Sequence, residues 1–227
     1  MKMEMEIQKK LLTINPYSRP GTKRNRTTKI AVHYVGNANS KAINNRNYFE
    51  NLKNQGKNGT YASSHYIVGL DGEVIQCVPD DEVAYTTNSA NTYSIGIECC
   101  HGSDGTFNSK TRSSLVELVA MLLKKYNLTS DDIIRHYDVT GKLCPICWAS
   151  NSGVKYQDYL KFKNEVRDKM EEDDEMVKNE VLTIKGKEKE YETIIKNGKT
   201  FVEMREFAQD LGHNVKYDPV TKKKCIS

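Results

Sequence analysis

Hydrophobic and polar positions change their period several times along the first two thirds of the chain. Lys29-Ile-Ala-Val-His-Tyr-Val35 is a continuous run rich in β-branched residues and predicts a buried strand. Between Lys41 and Asn54, Ile43, Phe49 and Leu52 offer one inward face on an otherwise polar segment, the pattern of a surface helix. Two alternating runs, Ser64 to Leu70 and Glu73 to Val78, flank Asp71-Gly72. They predict a β-hairpin with a type I′ turn, in which both turn residues take positive φ. Ser94 to Cys100 and Ile133 to Val139 read as two further strands. Lys110 to Asn127 carries Leu115, Leu118, Val119, Leu122 and Leu123 on one helical stripe, and Tyr156, Tyr159, Leu160 and Val166 predict a closing helix. Strands alternate with helices, so the expected class is α/β, a sheet with helices on its faces.

The texture changes at Met170-Glu-Glu-Asp-Asp-Glu-Met176, an acidic run without apolar periodicity, which reads as solvated linker or frayed helix end. The expected organisation is a main domain over residues 1–168, an acidic linker over 169–178 and a small α+β module over 179–227. In that module two strands around Asn197-Gly198 precede a helix near Phe201 to Leu211.

Composition narrows the function classes. With 34 basic and 30 acidic residues the net charge is +4, too mild to argue for a nucleic-acid partner. No stretch approaches the roughly 18 apolar residues of a membrane span, so no membrane insertion is expected. The N-terminal Met-Lys-Met-Glu-Met-Glu run alternates charge with methionine and does not read as a secretory signal. Six cysteines without framework spacing are expected to be reduced.

Chemistry enters through a few of these residues. A catalytic zinc takes three protein ligands and keeps a fourth position open. His33 and His136 fall near the ends of predicted strands, and Cys144 follows in a loop. A His2Cys metal set is one reading; packed or hydrogen-bonded histidines are the other. Cys144-Pro-Ile-Cys147 admits a third, a redox motif or half of a zinc ribbon, although no second Cys pair accompanies it. His65 reads as a structural hydrogen-bonder, and His101 has no spacing that supports a second metal site.

Four ordered segments sharpen the choice: Val32-His-Tyr-Val35, Ser64-His-Tyr-Ile-Val-Gly-Leu-Asp-Gly72, Ser94-Ile-Gly-Ile-Glu98, and Arg135-His-Tyr-Asp-Val-Thr-Gly-Lys-Leu-Cys-Pro145. Together they resemble the type-2 N-acetylmuramoyl-L-alanine amidases, the family of phage endolysins and peptidoglycan recognition proteins. The resemblance implies a central mixed sheet flanked by helices, with Zn2+ held in a groove by His33, His136 and Cys144. Carried over residue by residue, it implies catalytic roles for Glu98 and Lys142, bacterial peptidoglycan as substrate, and host-cell lysis. Some members carry a tyrosine where this chain has Ser64, which puts a tyrosine-assisted mechanism in doubt. A member without an export signal is expected to stay in the producing cell's cytoplasm until a holin-type partner releases it to the wall. The small C-terminal module is expected to bind wall polymer or to mediate self-association into a homo-oligomer. Two rival readings remain: a non-catalytic peptidoglycan-binding receptor of the same fold, and a zinc-ribbon or redox protein using Cys144 and Cys147.

Overall fold

The computed structural model describes residues 5–174, 176–184, 187–196, 199–213, 215–218 and 223–226, with side chains described through 5–171 and in parts of the remainder. The chain divides into two compact units, Met1–Lys169 and Met170–Ser227. In the first unit a six-stranded mixed sheet is built from β1 (Ile7–Lys9), β2 (Lys29–Tyr34), β3 (Tyr66–Val68), β4 (Val74–Gln76), β5 (Ser94–Cys99) and β6 (Ile133–Arg135). Its order is β1-β4-β3-β5-β2-β6. Only β3 and β4 run antiparallel; β1 and β4, β3 and β5, β5 and β2, and β2 and β6 pair in parallel. Central parallel strands are covered on both faces, which explains why β2 and β5 read as apolar runs rather than alternations.

Helix α1 (Ala42–Asn51), extended by a 3-10 turn to Asn54, seats Ala42, Phe49 and Leu52 in a cluster with Ile67, Ile75, Cys77 and Val78. Successive strand residues point to opposite faces, so Tyr66 turns away from that cluster. Its hydroxyl donates to Asp80, which also takes Lys125 and Tyr126 from the C-terminal end of helix α2 (Ser109–Lys125). The stripe of α2 expected from the sequence is fully buried at Leu115, Leu118, Val119, Leu122 and Leu123. Each such side chain contributes about 1.5–3 kcal/mol of transfer free energy. Asn108 caps α2 by accepting from the Thr111 N–H at 2.8 Å.

Two local expectations are corrected. The β3–β4 turn is not type I′. Gly72 N–H donates to Gly69 O and Gly69 N–H to Glu73 O, and the left-handed residue is Gly72 at φ 86°, with no positive φ at Asp71. This is a type I turn followed by a glycine bulge, which needs one positive φ instead of two. The last strand of the sheet stops at Arg135 rather than Val139, because Asp138 accepts from the Arg135 N–H at 2.7 Å and starts the short helix α3 (His136–Thr140).

Helix α4 (Gly153–Asp174) closes the first unit. Tyr159 donates to Ile133 O at 2.7 Å, Phe162 stacks on Trp148 at 4.7 Å, and Arg112 of α2 pairs with Asp158 and Glu165. Residues up to Asp174 of the acidic run are helical, and a strand begins at Met176.

The second unit holds β7 (Met176–Ile184), β8 (Lys187–Lys196) and β9 (Lys199–Val202) as an antiparallel meander, then α5 (Met204–Asp210) and the antiparallel pair β10 (Val215–Asp218) and β11 (Lys223–Ile226). The expected turn residues Asn197-Gly198 lie outside the described residues, between β8 and β9. Buried Tyr191 donates to Asp210 and packs on Phe207 at 6.0 Å, tying the meander to α5.

Candidate metal centre

The carboxyl ends of β2, β5 and β6 gather on one edge of the sheet, the place where open α/β sheets hold ligands. His33 is the penultimate residue of β2 and lies in register with Glu98 of β5. His136 is the first residue beyond β6. Cys144 arrives from the loop after α3, which leaves the helix through Gly141 at φ 76°. Tyr137 N–H donates to Cys144 O at 3.0 Å and folds that loop back onto the helix start.

Arg135 fastens this arrangement. Its guanidinium donates to Asp138, to the carbonyls of Trp148 and Ser150 at 2.6 Å each, and to Asn151 Oδ1 at 2.9 Å. It lies 4.3 Å over the ring of Tyr159. The buried charge is thereby satisfied from both sides of the ligand-bearing loop.

His33, His136 and Cys144 each offer a ligand atom within 4.8 Å of the others, and among the described residues they form the one such group of His, Cys or acidic side chains. All three are buried. The two imidazoles meet edge to face with centroids 4.7 Å apart. His33 Nδ1 lies 3.7 Å from Cys144 Sγ. Tetrahedral zinc, with N and S bonds of about 2.0 and 2.3 Å, separates such ligand atoms by about 3.6 Å, so the donor set fits that ion. On the far side of each ring a neighbour holds the other nitrogen. His33 Nε2 lies 2.8 Å from Thr87 Oγ1, and His136 Nε2 lies 2.9 Å from Asn88 Oδ1. Asn88 Oδ1 can only accept a hydrogen bond, so His136 Nε2 is the donor and Nδ1 is left unprotonated, as a ligand requires.

Electrostatics favour the same chemistry. Burial holds His33 well below the usual imidazole range, helped by His136 and Lys142; burial, then Lys142, also lowers His136. Both rings are therefore neutral and can offer lone pairs. Burial pushes the Cys144 thiol up to about 12, with Glu98 adding to it, so a cation that takes the sulfur must displace its proton.

A cavity of about 470 Å3 opens beside the three residues. Glu98 and exposed Lys142 line it with His33, His136 and Cys144, so every sequence-predicted site residue reaches one place. Glu98 Oε2 is buried without a hydrogen-bond partner, and burial raises the carboxyl to about 8 against the pull of Lys142. Ser64 is fully buried, and its unpartnered hydroxyl lies outside the cavity lining.

Sequence reasoning missed Tyr61, Tyr85 and Asn91, and it named Arg26, Asn88 and the Thr86-Thr87 pair as groove candidates without a spacing argument, since loop residues carry no periodic signal. Of those candidates Thr86 and Asn88 line the cavity, whereas Arg26 does not. His65 is held by Gly96 N–H donating to Nδ1 and by Glu82 O 3.0 Å from Nε2, and it takes no part in the cluster. His101 spans the carbonyls of Gly102 and Val35. Cys147 stands outside the ligand group, which among the described residues takes a single cysteine, so the two-cysteine ribbon arrangement is not the basis of the site.

The chain matches the family model described as N-acetylmuramoyl-L-alanine amidase over residues 23–147. It is 37% identical over 161 residues to a probable N-acetylmuramoyl-L-alanine amidase of Bacillus licheniformis, covering 66% of this chain and 45% of that protein. It is 37% identical over 180 residues to the N-acetylmuramoyl-L-alanine amidase BlyA of Bacillus subtilis, covering 70% and 46%. The chain thus spans somewhat less than half the length of these relatives. Among solved structures it resembles a mutant endolysin from Bacillus subtilis, with TM-score 0.59 and 25% identity over 71% of this chain and 99% of that one. It also resembles PlyL, with TM-score 0.58 and 26% identity over 72% and 98%.

Proposed function

Because the chain belongs to the N-acetylmuramoyl-L-alanine amidase family, we propose that it hydrolyses the amide between N-acetylmuramic acid and L-alanine in bacterial peptidoglycan, with zinc as its metal. The observation that carries this reading is the convergence of His33, His136 and Cys144 at a cavity that also receives Glu98 and Lys142.

His33, His136 and Cys144 would hold the ion, which would supply Lewis acidity for polarising a carbonyl and for making water a nucleophile near neutral pH. Thr87 and Asn88 keep the two imidazoles in orientation. Glu98, whose carboxyl burial holds above the usual carboxylate range, takes a proton from the attacking water and returns it to the leaving amine of L-alanine. The Lys142 ammonium faces the cavity and stabilises the oxyanion that develops on the attacked carbonyl. Ser64 is sealed in the core and is given no part in this chemistry.

The likeness to an endolysin supports a lytic role, of phage or prophage origin, with the protein acting at the wall. No helix among the described residues is long and apolar enough to cross a membrane. The second unit, Met170–Ser227, is assigned to retention on the insoluble substrate, where a tether raises the effective concentration of the catalytic unit.

The direct test is digestion of purified bacillus-type walls with identification of the new chain ends. Free N-terminal L-alanine, lost on chelation and restored by zinc, is the expected product. New reducing sugar ends would make the protein a glycosidase, and intact walls with zinc-loaded protein would favour a binding receptor.

A further inference from the structure

The cavity is lined by two chemically different sets of side chains. Its carboxylate and ammonium linings are Glu98 and Lys142. Its lining also includes the aromatic pair Tyr61 and Tyr85, with Phe49, Ala62 and Ser63, none of which carries a charge. Tyr61 is 57% exposed, and the segment that follows it is held by backbone hydrogen bonds. Ala62 N–H donates to Tyr17 O at 3.1 Å, and Ser63 N–H to Tyr85 O at 3.1 Å. Tyr85 N–H donates back to Ser63 Oγ at 2.9 Å. The three rings form a ladder, Tyr17 to Tyr61 at 5.3 Å and Tyr61 to Tyr85 at 5.6 Å and 86°. A ring fixed on both sides yet open to a cavity is preorganised to receive a flat apolar face at little entropic cost.

We propose that Tyr61 and Tyr85 form a subsite for an N-acetylhexosamine ring of the glycan strand. A pyranose presents one face of C–H groups edged by hydroxyls, so stacking on a tyrosine buries the apolar face and leaves the hydroxyls to polar partners. The glycan ring stacked here is neutral, as are the side chains of Tyr61, Tyr85, Phe49, Ala62 and Ser63. The identity of the sugar rests on the amidase reading; the aromatic pair does not.

The test is calorimetric titration of the full zinc-loaded chain with the soluble tetrasaccharide of β-1,4-linked N-acetylglucosamine. Saturable binding by the wild type is expected, with Tyr61→Phe retaining it and Tyr61→Ala weakening it about ten-fold or more. Tyr61 is exposed, so its truncation leaves the core intact, and Tyr85→Ala provides a second probe of the same pair. Absence of binding by the wild type, or equal binding by wild type and both alanine variants, would overturn the subsite. A chain that binds the tetrasaccharide through Tyr61 but cuts no wall would remove the amidase reading and leave the subsite standing.

Discussion

Thr87 Oγ1 lies 2.8 Å from His33 Nε2, on the side of the imidazole opposite Cys144, whose sulfur lies 3.7 Å from Nδ1. One ring nitrogen is thus tied to the protein and the other turned to the cluster. The hydroxyl is itself placed by its backbone, since Thr87 N–H donates to Asn91 Oδ1 at 2.6 Å and Thr86 N–H to the same oxygen at 3.0 Å.

Removing that partner should loosen the metal without removing a ligand. Thr87→Val is expected to weaken zinc about 10- to 100-fold, and Thr87→Ser to restore most of it. Competition against a chromophoric chelator reads the change. Unaltered affinity in Thr87→Val would show that the hydroxyl does not orient the ring.

The two cysteines of the Cys144-Pro-Ile-Cys147 segment should separate cleanly. Cys144→Ser is expected to lose bound zinc and wall hydrolysis together, while Cys147→Ser keeps both, because only Cys144 lies in the ligand group. Metal analysis of the purified variants decides it, and metal loss in Cys147→Ser would revive a two-cysteine site.

Glu98→Gln preserves shape and removes the proton carrier. A fall in kcat of about 10²- to 10⁴-fold with zinc content unchanged is expected. Near-normal turnover would transfer the proton role to another group.

Leu118 is fully buried on α2 among Leu115, Val119 and Leu122. Leu118→Ala should destabilise the first unit by about 2–5 kcal/mol, the cost of lost transfer energy plus a cavity. Urea unfolding followed at Trp148, which belongs to that unit, measures it without interference from the second. A change below about 0.5 kcal/mol, the range of surface substitutions, would contradict the packing described.

Acid should weaken the first unit through Glu50. Burial pushes this carboxyl up, but bonds from Lys53 and Thr13 outweigh it and bring it down to about 2. A carboxyl lowered on folding adds stability above its unfolded value of about 4.3, and loses it as pH falls towards 2. The urea midpoint of wild type should therefore fall from about pH 5 to about pH 2 by more than that of Glu50→Gln. Parallel acid limbs would remove Glu50 from the account.

The α2 stripe, the β2 and β5 runs and the β3–β4 hairpin were legible because a helix or strand repeats its environment every few residues, and that repeat is written locally. His33, His136, Cys144, Glu98 and Lys142 were nameable from ordered motifs, although the spacing of the histidines and cysteine alone favoured packed histidines over a metal set. What tertiary structure decided is which side chains share a space. Cys144 and His33 are 111 residues apart in sequence and meet because β2 lies between β5 and β6. Thr87, Asn88, Tyr61 and Tyr85 come from segments with no period to read, and they acquire a role only when the fold brings Tyr61, Tyr85 and Asn88 to the cavity and Thr87 to the His33 ring. The hairpin shows the same division at small scale: Asp71-Gly72 announced a turn, and the register of Val68 with Val74 chose its type. Local energetics specify elements, whereas a site is a convergence of distant residues, set by strand order and by the pairing that closes the sheet.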